Sequence, residues 1–216
     1  MTYLETINKV LMKLRETQAV TVNDNEYIQL IGQFVNETKE EVEDAWNWLS
    51  LRETITISST LAGGYEYSLT GAGDRYVIFS AFNNTHDSPM TKAPHSWMEN
   101  IQSYPNVQEA PPFYYDIKGE DSNGDPTIVL WPRPDADYSL DFRCKIPQGD
   151  LTDGSTVIKA PWRPIYLGAY AMAIDERGDD QGAALDKAMM AYKQSLGDYI
   201  ALDQSRTEYE DTWDVK

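Results

Sequence analysis

The chain opens on a helical spacing of apolar positions. Leu4, Ile7, Leu11 and Leu14 follow one another at steps of three, four and three, which sets them on one stripe of a helix. Thr2 and Glu5 stand where a capping box would begin it, the hydroxyl accepting from the backbone while the carboxylate reaches back. After a polar stretch, Asn23 with Glu26 repeats the capping pattern. Ile28, Ile31, Val35, Thr38, Val42, Ala45 and Leu49 then keep the same rhythm. These residues predict a helical hairpin with a narrow seam and charged outer faces. Trp46 and Trp48 close the second helix, and Trp46 falls beside the seam as a packing residue.

After Leu51 the period changes from helical to alternating. Thr54 to Ile57 reads as a strand by its β-branched alternation. Gly63-Gly64 marks a turn, Tyr65 to Leu69 a second strand, and Thr70 to Asp74 another turn. Arg75 to Phe82 reads as a buried strand, and residues 83–95 as a loop with Pro89 and Pro94. Ser96 and Glu99 predict a capping box for a short helix to about Tyr104. Phe113 to Lys118 and Thr127 to Trp131 flank an Asn123-Gly124 pair, a strong hairpin signal. Tyr138 to Ile146 gives one more strand, with Tyr138, Leu140, Phe142 and Cys144 on one side. Six strands at this spacing predict a small sandwich or barrel.

Helical spacing returns after Pro161 and Pro164, residues suited to a first turn. Ile165, Gly168, Ala169, Met172 and Ala173 form a slim face that permits close helix approach. Gly178 reads as a left-handed cap, and Asp179 or Asp180 as the cap of a last helix carrying Leu185, Met189, Tyr192, Leu196 and Tyr199. The predicted fold class is therefore α+β: a helical bundle of about four helices from both chain ends, with an inserted antiparallel β-sandwich or barrel-like domain. The expected bounds are 1–52 and 160–203 for the bundle, 53–159 for the β domain and 204–216 for an extended C-terminal arm.

Charge adds a second constraint. The 216 residues carry a net charge of −17. Residues 1–52 hold five basic and nine acidic groups, residues 53–158 six and fifteen, and residues 159–216 seven and eleven. No segment is basic, so a phosphate-neutralising patch has no candidate run. The acidity serves solubility, or keeps DNA from adhering by like-charge repulsion. Nothing resembles a signal peptide, and no apolar run approaches the roughly 18 residues of a membrane span. Synthesis and retention in the cytoplasm of whatever cell expresses the chain are expected.

Candidate chemistry is sparse. Cys144 is the only cysteine, so no intrachain disulfide forms. His86 and His95 lack thiol partners at zinc spacing. Asp121, Asn123 and Asp125 mimic the start of a calcium loop, but Pro126 and Pro132 stand where that loop needs glycine and glutamate. A polar hairpin turn is the simpler reading. Gly71-Ala72-Gly73 is too short for a dinucleotide fingerprint and reads as a turn. His95 and Ser96 are only sequence neighbours. Cys144 shares a strand face with Leu140 and Phe142, which suits an inert buried thiol. No catalytic residue, metal ligand or cofactor is assigned. Trp131, between Leu130 and Pro132, either lines a binding face or closes the sandwich.

The wording of the chain is itself informative. MTYLETINKVLMKLRE, then VNETKEEVEDAWNWLSLRETITI and later WRPIYLGAYAMAIDERG, resemble the head-to-tail adaptor (connector) proteins of tailed bacteriophages. The resemblance is clearest over residues 1–57 and rests on helix phrasing and architecture. It implies a structural virion protein without an active site, placed at the head–tail junction. It also implies a self-associated ring, generally twelvefold, under the portal protein, which extends the DNA channel and docks tail or nozzle proteins. DNA would pass without specific binding, and no membrane is involved.

The acidic C-terminal segment keeps Tyr209 and Trp213 among Asp211 and Asp214. It has too few apolar residues to fold alone. These four residues are the candidate contacts to the portal or a neighbouring subunit. Two other classes compete. A cell-wall or glycan hydrolase needs two carboxylates converging in a cleft. A carbohydrate-binding module needs Trp97, Tyr114 and Trp131 exposed as stacking platforms.

Overall fold

The computed structural model describes residues 1–104, 108–178 and 182–207. The chain divides into two compact units, residues 1–51 with 148–216, and residues 52–147. The fold class is α+β, with four helices from the two chain ends in the first unit and one curled half-barrel sheet in the second.

The first unit holds α1 (Tyr3–Lys13), α2 (Glu26–Ala45), α4 (Trp162–Arg177) and α5 (Ala183–Thr207). Thr2 and Glu5 do form the capping box of α1. The cap of α2 is Asn25, whose side chain accepts from the Ile28 N–H at 2.9 Å. Asn23 was the expected cap. It is displaced because Asp24 binds back to Val20 and Thr21, so the turn closes two residues later. Ile7, Leu11, Ile31, Val35 and Val42 are all buried in the common core with Ile165 and Ala169. Each such side chain stabilises by about 1.5–3 kcal/mol relative to exposure.

The α2 rhythm does not continue to Leu49. Trp46 is extended, ending the helix at Ala45, and a 3₁₀ turn spans Leu49–Leu51. Trp48, 1% exposed, fills the space instead and donates its indole N–H to the Val42 carbonyl at 2.6 Å. Asp203 of α5 accepts from the Trp46 indole and the Leu49 N–H, at 3.2 and 3.1 Å.

Residues 148–160 run against α1 and α2. The Tyr3 N–H donates to Thr156, and the Ile158 N–H to Met1. The buried Lys39 ammonium donates to the carbonyls of Gln148 and Gly149 and lies 3.4 Å from Glu43. The other Glu43 oxygen accepts the Gln148 N–H at 3.2 Å. Gly178 caps α4 in the left-handed conformation. The α5 helix continues through Thr207, so residues 204–207, expected in the arm, are helical. Asp179 and Asp180, the expected caps of α5, lie outside the described residues.

The second unit contains β1 (Arg52–Ile57), β2 (Glu66–Ser68), β3 (Val77–Asn83), β4 (Ser88–Lys92), α3 (His95–Gln102), β5 (Tyr114–Glu120), β6 (Pro126–Trp131) and β7 (Leu140–Lys145). These form one sheet in the order β1-β7-β3-β4-β5-β6-β2. The barrel-like alternative therefore describes the sheet better than a two-sheet sandwich. All described neighbours pair antiparallel except β4 and β5, which are parallel over Thr91 and Lys92. Bulges at Ile78/Ser80 and Ile117/Gly119 add local twist.

The concave core gathers Leu69, Met90, Tyr115, Ile128, Leu130, Leu140 and Phe142. β6 is buried on both faces, because its alternate residues Val129 and Trp131 pack with Met98 of α3. β3, expected to be buried, instead exposes Val77 and Phe79. β4 replaces part of the expected loop at 83–95. α3 begins at His95 after Pro94 with no side-chain cap, so Ser96 is not a capping residue.

Candidate interaction surfaces

The acidic chain concentrates three cations beside aromatic rings on one strip of the helical unit. Trp162, Tyr166 and Tyr170 recur every four residues on α4 and so share one side of it. Trp162 and Tyr166 stack at 5.7 Å between centroids, 20° apart. Lys9 and Lys13, one turn apart on α1, reach over them. The Lys9 ammonium lies 3.9 Å from the Trp162 ring centre, and the Lys13 ammonium 4.7 Å from that of Tyr170. Such contacts contribute about 0.5–1 kcal/mol each near the surface. Arg163 is exposed next to Trp162. Burial, and then the neighbouring Arg163 charge, lower the Lys13 pKa.

A second strip has the opposite charge. Glu37, Glu40, Glu41 and Asp44 are exposed on one face of α2, away from its buried Ile31, Val35 and Val42. Glu41 also accepts the Tyr192 hydroxyl of α5 at 3.1 Å, and burial raises the Tyr192 pKa.

The groups considered for chemistry have structural partners. Asp125 accepts the N–H groups of Gly71 and Gly73, and Asp121 accepts those of Asn123 and Asp125. The calcium-like run and the glycine turn are thus parts of one hydrogen-bonded corner. Cys144 is buried, which pushes its thiol up to about 11. His95 places Nδ1 2.6 Å from Asp116 and Nε2 3.3 Å from Glu99. These residues border a small cavity of about 140 Å³ with Tyr65 and Val129. Among the described residues no group of His, Cys, Asp and Glu is arranged to hold a metal ion.

The three expected stacking platforms do not form a sugar-binding face. Trp131 is only 7% exposed, because it packs under α3. Trp97 and Tyr114 are exposed but meet edge-on at 65° rather than lying coplanar. Trp131 therefore closes the core. Among the described residues no helix is long and apolar enough to cross a membrane.

The model of the SU10 adaptor protein family matches residues 1–215, both units included. The chain belongs to that family. It is a phage head-to-tail adaptor, a structural connector protein. No curated protein is significantly similar to it.

Tyr209, Asp211, Trp213 and Asp214, the contacts expected from the adaptor's sequence, lie outside the described residues. The strip on α1 and α4 was missed in the sequence. Its signal was present as two i, i+4 series, Lys9/Lys13 and Trp162/Tyr166/Tyr170, but nothing in their spacing says that the two meet.

Proposed function

We propose that this adaptor assembles as a twelvefold ring of identical copies beneath the portal protein at the head–tail junction. It extends the DNA channel, docks a tail or nozzle protein on its far side, and performs no catalytic step. In the host cytoplasm it is a monomer or small oligomer until the portal supplies a template. The family match over residues 1–215 carries this reading. The net charge of −17 supports it twice: copies repel one another in isolation, and an acidic channel wall does not retain DNA. In this reading Tyr209, Asp211, Trp213 and Asp214 contact the portal or a neighbouring copy.

Electron microscopy of the chain mixed with the portal protein of the same phage tests the proposal. A second ring of density under the portal is expected, with light scattering showing only small species for the chain alone. A stable dimer that ignores the portal overturns the reading. Clearing of purified cell wall, abolished by one Asp or Glu substitution, would overturn its non-catalytic part.

A further inference from the structure

The cationic and acidic strips lie on different outer faces of the same helical unit. At 3.6 residues per turn, Tyr166 and Tyr170 sit about half a turn around α4 from Gly168. Gly168 is the residue pressed against Thr38 of α2. On α2, Glu37, Glu40, Glu41 and Asp44 are turned away from the core stripe. The two patches are opposite in sign and both are exposed, on different faces of one copy. Between copies they make a head-to-tail contact, the kind that closes into a ring when its rotation allows.

We propose that the strip of Lys9, Lys13 and Arg163, with the rings of Trp162, Tyr166 and Tyr170, docks on the acidic α2 face of the next copy, and that this contact closes the ring. The inference rests on the ring reading above and names its interface. Three observations favour a second copy over DNA as the occupant. Every copy brings the acidic complement in equal number. The chain around the strip is strongly acidic and repels a duplex at range. The strip offers a compact cluster rather than a basic track along a backbone. Tyr and Trp beside cations are also the residue types that anchor protein interfaces.

The test uses three variants of the full chain with portal. K9E/K13E/R163E reverses the strip, E37K/E40K/D44K reverses the α2 face, and the third variant carries all six changes and so keeps the wild-type net charge. Each single reversal should lose closed rings in electron micrographs. The six-fold variant should regain them, and so should an equal mixture of the two reversals, because strip and face are again opposite in sign. Regained rings also show that the reversed chains fold. Wild-type rings that survive either reversal overturn the interface alone. Failure of the six-fold variant to restore rings overturns it too. Absence of any wild-type ring overturns the ring reading and this inference together. A short DNA duplex retarded by the wild type and released by the strip reversal would assign the strip to DNA instead.

Discussion

Asp125 closes the turn at Gly73: its carboxylate accepts the Gly73 N–H at 2.9 Å and the Gly71 N–H at 3.0 Å. Gly71 and Gly73 have positive φ, +89° and +67°, so their N–H groups converge on one acceptor. The carboxylate is nearly buried, and no water replaces it cheaply. Asp125→Ala should therefore destabilise the β unit by about 2–4 kcal/mol, since it strands two donors that faced a charge. Asp125→Asn keeps an acceptor and should lose less. Urea unfolding of the two variants checks the order; equal midpoints for Ala and wild type would contradict it.

Gly168 and Gly197 should respond in opposite directions to the same substitution. A Cβ at Gly168 would lie 2.4 Å from Thr38 Cγ2, whereas one at Gly197 meets nothing within 4 Å. Gly168→Ala should destabilise by about 1–3 kcal/mol through overpacking, and Thr38→Ala in the same chain should recover part of it. Gly197→Ala should stabilise by about 0.4–1 kcal/mol, because the methyl group restricts the unfolded chain and meets no neighbour in the folded α5. Thermal melts of the three variants decide both signs.

Much of the helical unit was legible because its signals are local. The Thr2–Glu5 box, the stripe through Val42 and the Gly178 cap each need only neighbours within a turn or two. The slim face at Gly168 was visible for the same reason. What was not legible depends on distant partners. β4 has one buried apolar residue, Met90, and owes its place to β3 and a short parallel pairing with β5. Asn25 took the cap from Asn23 because Asp24 was engaged elsewhere. The cationic strip needs α1 laid against α4, a fact of topology that neither segment states.

Lys39 should be among the most sensitive positions of the bundle. It is 1% exposed, and it neutralises Glu43 while holding the carbonyls of Gln148 and Gly149. Lys39→Ala leaves a buried carboxylate without this cation and should cost about 3–5 kcal/mol. Hydrogen exchange at residues 148–158 should rise first, since Lys39 and Glu43 fasten the start of that segment. Exchange rates there that match wild type would show the pair to be dispensable.

His95 gives the β unit a pH dependence of definite sign. The Asp116 hydrogen bond chiefly, and Glu99 next, raise its pKa above the ordinary value of about 6.5. A group raised in the folded state stabilises fully below its unfolded pKa, and that contribution disappears as pH rises through the folded value. Histidine NMR titration should place the His95 midpoint above 6.5, the ordinary value, and Asp116→Asn should bring it down. A midpoint that ignores Asp116→Asn would remove this carboxylate as the cause.

The C-terminal docking proposal now has a defined cutting point. Asp203 cannot be part of a dispensable arm, because it accepts from the Trp46 indole and the Leu49 N–H and so fixes the end of α2. The last described helix runs to Thr207. Truncation after Thr207 should therefore leave the melting temperature of the free chain nearly unchanged, whereas Asp203→Ala should lower its stability by about 1–3 kcal/mol through two lost hydrogen bonds to a carboxylate. Portal attachment should show the reverse order. The truncated chain and Trp213→Ala should bind portal more weakly, as a Trp buried in an interface contributes about 2–3 kcal/mol before the entropy of ordering its segment is subtracted. Repetition around a ring magnifies that modest contact through avidity. Asp211 and Asp214 would face basic groups on the partner, so binding should also weaken with salt. If the chain ending at Thr207 attaches to portal as tightly as the full chain, Tyr209 and Trp213 are not anchors, and attachment belongs to the folded units.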